Sequence, residues 1–374
     1  MRETEYDALR VSQFGFPAPN VPFIRNYFKN ERLYALLTEY LTDLIARERS
    51  DVVHGQHVMT CLPSVAAAAR AGVSSVCTVR DYWPVCYWSN LIHTTDEAEL
   101  CPGCSTGMMS ACIRPRAGAL WPLALPLIPY MRANLERKRT GLAAADAVIA
   151  VSTTIASDLR ARVPQLASTR VETIPNPVNI AELRERAALT EPMNTAPYAV
   201  YLGKLEPNKG SSHLIEIVER ANLDWPLVIV GDGAERAQLE AQAAQSPGRA
   251  TIFTGWVDRA TAMRWLAHAS MLIFPSRGPE SLSRVLIEAS ALGIPIAAMN
   301  TGGTPDIIVH GETGLLSTSL DGLTADVKRL RGDAALRERL GQAARDHVES
   351  RFDAPVVVER IERVYEDLLR RRRL

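Results

Sequence analysis

A regular beat in the second half of this chain limits its fold more than anything else in the sequence: short, continuous apolar runs alternate with helix-like stretches. The runs are YAVYLG (Tyr198–Gly203), PLVIVG (Pro226–Gly231), ATIFTG (Ala250–Gly255), MLIFP (Met271–Pro275) and IPIAAM (Ile294–Met299). Each lacks polar alternation, as strands do when a parallel sheet buries both of their faces. Between them, Ser211–Ala221, Ala234–Ala244, Asp258–Ala269 and Ser281–Leu292 carry helical spacing. This order predicts a doubly wound α/β domain, with its ligands beyond the C-terminal ends of the strands.

The first half shows the same pattern less cleanly. Asp51–Gly55, Ser74–Val79, Asp146–Ser152 and Val171–Pro175 read as strands; Glu31–Glu48, Leu62–Ala71, Tyr130–Ala145 and Thr154–Val163 read as helices. Turn-rich PNPVNI (Pro175–Ile180) and Thr190–Pro197 mark a linker. The 374 residues suffice for two cores, and we expect two Rossmann-like domains facing a cleft. Residues 1–178 form the N-terminal unit, 197–352 the C-terminal one, and 353–374 an amphipathic helix that crosses back over both. Formal net charge is zero, so no global field points to nucleic acid. The basic run Arg370–Arg373 suits a helix end better than an anionic membrane. The apolar stretch Ala117–Met131 is broken by Pro122, Pro126 and Pro129 and too short to span a bilayer. It fits either a membrane surface or a buried lining.

Chemistry concentrates at the strand ends of the second half. In PSRGPESLSRVLIEASALGIP (Pro275–Pro295), Glu280 and Glu288 are separated by seven residues, about 12 Å if the whole span is helical. That suits two ends of one elongated ligand: one carboxylate on vicinal ribose hydroxyls, the other on a sugar, a phosphate at the helix N-terminus between them. Any lone carboxylate pair is more often a surface feature. Here, however, Gly203 is followed by Lys204 and Lys209, two cations that can hold a diphosphate as a glycosidic bond breaks. TGGTPD (Thr301–Asp306) adds Gly302 and Gly303, whose N–H groups offer an anion nest. GDGAER (Gly231–Arg236) lacks the third glycine of a dinucleotide fingerprint and reads as a turn near a nucleobase.

Taken in order, GKLEPNKG, VIVGDGAER, FTGWV, PSRGPESLSRVLIEASALGIPIAA, GGTPDII and HGETGLL resemble the retaining glycosyltransferases of family 4, which have the GT-B fold. The resemblance implies transfer of a hexose-type sugar from a UDP-, GDP- or ADP-sugar to an acceptor hydroxyl, in glycan, polysaccharide or glycolipid synthesis, with no required metal. It implies Glu288 on the ribose, Glu280 on the donor sugar, Lys204 and Lys209 on the diphosphate, and Ser281 and Leu282 in the loop that meets phosphate or sugar. Three departures stand out. Lys204 replaces the family's usual Arg and so lacks the bidentate fork, and Ser283 replaces a common glycine. Arg80 stands where HDYW has its histidine, leaving Asp81, Tyr82 and Trp83 in place. Arg80 fits either a phosphate or acidic acceptor group, or an ion pair with Asp81. Ser152 and Asn176 match positions near the cleft and hinge, and His54 and His57 are candidates for its lining.

Only 50 residues precede Asp51, so the N-terminal domain is expected to be abbreviated by one or two strand–helix units. That keeps open a non-catalytic nucleotide-sugar-binding subunit, or an epimerase or hydrolase on the same fold. Cys86, Cys101, Cys104 and Cys112 form C-x14-C-x2-C-x7-C, open to a structural zinc, free thiols or a disulfide. The charged N-terminus MRETEYDALR is no signal peptide, and a cytoplasmic setting is expected, with contact at the inner membrane face left open.

Overall fold

The computed structural model describes residues 2–20, 22–92, 101–246, 248 and 250–373. Residues 93–100, inside the loop between Cys86 and Cys101, lie outside the described residues. The chain opens on an antiparallel hairpin, β1 (Arg2–Tyr6) and β2 (Leu9–Gln13), turning at Asp7 and Ala8 with φ of 51° and 60°.

The first parallel sheet contains β3 (Val52–Gly55), β4 (Ser74–Val79), β5 (Ala147–Ala150) and β6 (Arg170–Thr173), in that spatial order. Because the strands advance in one direction, right-handed crossovers place every connecting helix on one face. Helices Val58–Ala71, Ile128–Ala143 and Thr153–Arg162 accordingly pack Cys61, Val65, Leu142, Ile155 and Leu159 with Cys77, Val79, Val148 and Ala150. The alternate residues Val76, Ala147 and Ile149 point the other way and would be bare. The last helix, Ala354–Arg373, covers them with Val357, Val364 and Leu368.

The second sheet has six parallel strands: β7 (Ala199–Leu202), β8 (Leu227–Val230), β9 (Thr251–Gly255), β10 (Met271–Phe274), β11 (Ile296–Met299) and β12 (Leu315–Ser317). Their order is β12-β11-β10-β7-β8-β9, so winding reverses between β7 and β10. Helices Leu214–Arg220 and Arg236–Ala244 line one face, Arg259–Ala267 and Arg284–Leu292 the other. The crevice at that reversal is where α/β sheets bind ligands.

The two units are Rossmann-like and joined by two adjacent crossovers. Val178 N–H donates to the Phe352 carbonyl at 3.0 Å, and Ala354 N–H donates to the Val178 carbonyl at 2.9 Å. Helix Ile180–Ala188 lies between the two turn-rich stretches and packs on helix Arg284–Leu292, Arg184 Nε donating to the Ala291 carbonyl at 2.9 Å. The final helix bridges by position but spends its apolar stripe on the N-terminal sheet. Arg370 pairs with Glu366 and Asp367, and Arg372 donates to the Gly72 carbonyl, so these cations serve the helix end.

Within Ala117–Met131, Ala124, Ile128 and Met131 are buried, while Leu120 and Leu123 are 66% and 76% exposed. The stretch thus lines the interior on one side and leaves apolar surface on the other. Among the described residues no helix is long and apolar enough to cross a membrane.

Candidate functional site

Gly210, at φ 64°, lies so close to the end of β10 that a Cβ there would meet the Pro275 carbonyl at 2.1 Å. This contact clamps the turn Pro207–Lys209 over the β7–β10 crevice. Arg277 and Gly278 N–H both donate to the Asn208 carbonyl, at 3.1 and 2.7 Å, tying the loops after β7 and β10 together. The result brings Lys209 Nζ to Glu280 Oε1 at 2.5 Å, with the buried Ser276 hydroxyl donating to the same oxygen at 2.6 Å.

Lys204 takes a different direction. Its side chain is 64% exposed and its ammonium lies 3.6 Å from Glu206. Of the two lysines, only Lys209 meets Glu280 in this structure.

Helix Arg284–Leu292 begins three residues later than the sequence suggests. Leu282 and Ser283 are buried, and Ser283 stands at the N-cap without capping through its side chain. The 12 Å helical estimate for Glu280 to Glu288 therefore lapses, since Ser281–Ser283 are not helical. Glu288 sits in the second helical turn, 1% exposed, accepting from Arg259 Nη2 at 2.7 Å. Burial raises its pKa above the usual glutamate value, opposed by the Arg259 hydrogen bond and charge. Arg259 opens the helix after β9 and carries no motif of its own, so sequence reading missed it, as it missed Ser276.

The glycine pair also serves the packing of this loop. Gly303 N–H is committed to the Glu280 carbonyl at 2.7 Å. A Cβ at Gly302 (φ 53°) would fall 1.9 Å from the Glu280 carbonyl oxygen, and one at Gly303 2.3 Å from that of Ser281. The pair lets this loop lie against Glu280 and Ser281 and fixes their backbone. Gly203 and Gly231 make a similar close approach at the neighbouring strands, where a Cβ on Gly231 would meet the Gly203 carbonyl at 1.9 Å.

The N-terminal unit closes over this edge. Thr153 donates to Asp306 through its N–H at 2.6 Å and its hydroxyl at 2.5 Å, and the Thr154 hydroxyl donates to the Gly302 carbonyl at 2.7 Å. Tyr82 OH lies 3.5 Å from the Glu280 carbonyl. Ser152 caps helix Thr153–Arg162 and is fully buried. Arg80 donates to Gln56 at 2.6 Å, not to Asp81, whose carboxylate accepts the Trp83 N–H at 2.8 Å. The Arg80–Asp81 ion pair considered from sequence therefore does not form. Burial and the like charge of Arg284 both lower the Arg80 pKa, so two guanidiniums from opposite units face one region. His57 caps helix Val58–Ala71. His54 bonds Tyr365 and Thr78 at 2.5 and 2.7 Å, and burial pushes it down to about 4. Both histidines are structural here.

Two family models divide the chain: glycosyltransferase family 4 matches residues 5–182 and glycosyl transferases group 1 matches residues 184–347. The chain belongs to the family 4 glycosyltransferases. Among curated relatives, glycogen synthase of Mycobacterium tuberculosis is 33% identical over 172 residues, 44% of this chain and 41% of that protein. Phosphatidyl-myo-inositol mannosyltransferase of Mycobacterium leprae is 36% identical over 219 residues, 56% of this chain and 57% of that one. The matches thus span about two fifths to three fifths of these relatives. The Anabaena protein HepE, solved with UDP-glucose, superposes with a TM-score of 0.61 at 17% identity, covering 88% of this chain and 82% of its own. Such a likeness gives the GT-B fold.

Proposed function

We propose that this family 4 member is a retaining glycosyltransferase that moves a hexose-type sugar from a nucleoside-diphosphate sugar to an acceptor hydroxyl. One observation carries the reading. Lys209 and Glu280 meet at the β7–β10 reversal, with the buried Glu288 held ready by Arg259 on the adjoining helix. Glu288 accepts the ribose hydroxyls, Glu280 meets the donor sugar, and Lys209, joined by Lys204, offsets charge on the departing diphosphate. Ser281, Leu282 and Gly302 set the backbone that the sugar and phosphates approach, and Gly203 and Gly303 hold that backbone in place. The bond between sugar carbon and diphosphate oxygen breaks as the acceptor oxygen attacks from the same face. The acceptor proton passes to the diphosphate, so the protein supplies no base, and the lysines supply the cationic charge without a required metal.

The acceptor enters from the N-terminal unit, past Arg80. The exposed Leu120 and Leu123 suit a cytoplasmic enzyme that touches the membrane to reach a lipid-linked acceptor. Arg80→Ala should raise the acceptor KM by about tenfold or more, the scale of one lost charge-assisted hydrogen bond, and leave donor affinity within about twofold. Equal loss on the donor side would move Arg80 to the diphosphate.

A calorimetric or thermal-shift screen against UDP-, GDP- and ADP-sugars tests the donor site. One of them should stabilise the fold by about 2.7 kcal/mol at a hundredfold excess over Kd. No shift with any of the three removes the site. Binding without transfer or donor turnover would make the protein a nucleotide-sugar-binding subunit; product from the donor alone would make it an epimerase or hydrolase.

A further inference from the structure

Among the described residues no three of His, Cys, Asp or Glu are grouped to hold a metal ion, and the six cysteines are free thiols. The unassigned chemistry lies instead where the two units touch. On the reading of Glu280 as the group that meets the donor sugar, we propose that Thr153, Thr154 and Asp306 are positioning residues for transfer. Through them, closure of the cleft sets the backbone of Glu280 and so governs the transfer step rather than donor affinity.

Two loops connect the N-terminal unit to that backbone. The loop after β10 carries Glu280, and the loop after β11 carries Thr301 to Asp306. The second braces the first: the Thr301 hydroxyl donates to the Gly278 carbonyl at 2.7 Å, and Gly303 N–H donates to that of Glu280 at 2.7 Å. The N-terminal unit in turn grips the second loop. Thr153 gives Asp306 both its N–H and its hydroxyl, and Thr154 gives its hydroxyl to the Gly302 carbonyl. Asp306 is tied back to the glycine pair by its own N–H, which donates to the Gly303 carbonyl at 3.2 Å. A hydrogen-bonded path therefore runs from the start of helix Thr153–Arg162 to the Glu280 carbonyl.

Local structure explains these residue types. The first N–H groups of a helix have no partner within it. Ser152 caps the Ile155 N–H at 3.2 Å, which leaves that of Thr153 to be met from outside. Asp306 meets it from the other unit, and the helix dipole favours a carboxylate there. Gly303 is pressed between the units as well. A Cβ at that position would fall 2.9 Å from the Ser152 Cβ and 2.3 Å from the Ser281 carbonyl oxygen. One thickness of backbone thus separates Ser152 from Ser281, so a shift of the N-terminal unit is passed on rather than absorbed. When the cleft opens, these contacts part together, and so does the approach of Tyr82 OH to the Glu280 carbonyl. Lys209 and Ser276 belong to the C-terminal unit and stay on the Glu280 carboxylate. The donor keeps its binding groups, while the reacting end loses its brace.

Amide exchange and single-turnover kinetics of the full chain test this coupling. In Asp306→Ala, without substrates, the amides of residues 280–283 and 301–307 should exchange faster than in the wild type. At saturating donor and acceptor its transfer rate should fall by about ten- to a hundredfold, the scale of a reacting group displaced by about an ångström, with donor Kd within about twofold. Thr153→Ser with Thr154→Ser keeps both hydroxyls and should transfer at nearly the wild-type rate. Thr153→Val with Thr154→Val should lose rate as Asp306→Ala does. If Asp306→Ala misfolds, Thr154→Val alone, one hydroxyl short, should still lose about two- to tenfold. Unchanged exchange or an unchanged rate in Asp306→Ala overturns the proposal. So does a loss confined to donor Kd, or a serine pair as impaired as the valine pair. Exchange needs no substrate and donor binding is measured on the wild type, so failure here and failure of the transferase reading show in different experiments.

Discussion

Glu288→Ala should lower kcat/KM by roughly a hundred- to ten-thousandfold while the protein stays folded. The size follows from two hydrogen bonds between a buried carboxylate and vicinal ribose hydroxyls, each worth about 1.5–3 kcal/mol. Folding should suffer little, because the partner left behind, Arg259, has a 59% exposed side chain and can turn to water. The contrast identifies a ligand-binding group, since a buried charge kept for structure would cost stability when removed. The Glu288 pKa is raised by burial, so acid should protonate it at a higher pH than an ordinary glutamate. The protonated form accepts hydroxyls poorly, so donor affinity should fall as pH falls, and Glu288→Gln should flatten that dependence. For stability the sign is opposite: a raised folded pKa favours the protonated fold, and that contribution fades as pH rises through it. A donor titration by calorimetry across acidic pH measures the first effect, and thermal midpoints over the same range measure the second. Unchanged turnover in Glu288→Ala would remove the ribose site.

The strands were legible because a parallel sheet buried on both faces writes itself as unbroken apolar runs. All five predicted in the second half appear within two residues at each end, and the four of the first half do so as well. The three-residue strand β12 and the opening hairpin were not foreseen. The hairpin turns on Asp7 and Ala8, and an alanine at positive φ gives none of the Asn-Gly or Asp-Gly signal by which such turns are found. The start of helix Arg284–Leu292 was misplaced because Leu282 continues the apolar spacing while packing outside the helix. What the sequence withheld about the site is tertiary. Arg259 reaches Glu288 across 29 residues, and Ser276 reaches Glu280 only because the loop after β10 folds back. Gly303 reads as an anion nest until its N–H is seen on the Glu280 carbonyl. Residue type told which chemistry was available, and only the fold told which groups were already engaged.

The two lysines after β7 should separate sharply. Lys209→Ala should cut kcat by about a hundred- to a thousandfold, the usual cost of one preorganised donor at a developing charge. Lys204→Ala should cost less than about tenfold, because its contact must first overcome an ordering cost. Both are cations on one loop, yet only one is preorganised. Lys209 closes a turn whose next residue, Gly210, abuts the Pro275 carbonyl, and its ammonium already rests between the loops after β7 and β10. Lys204 must abandon solvent and Glu206 to reach a diphosphate, so its ordering cost cancels much of what the contact yields. Removing Lys209 also strips Glu280, 11% exposed, of its countercharge. A double-mutant cycle with Glu280→Gln separates the two effects. If Lys209 acts on the leaving diphosphate, its loss should persist in kcat when Glu280 is already neutral. If it serves only to hold Glu280, the second substitution should add almost nothing to the first. Single-turnover rates at saturating donor make the measurement, and equal losses for both lysines would overturn the assignment.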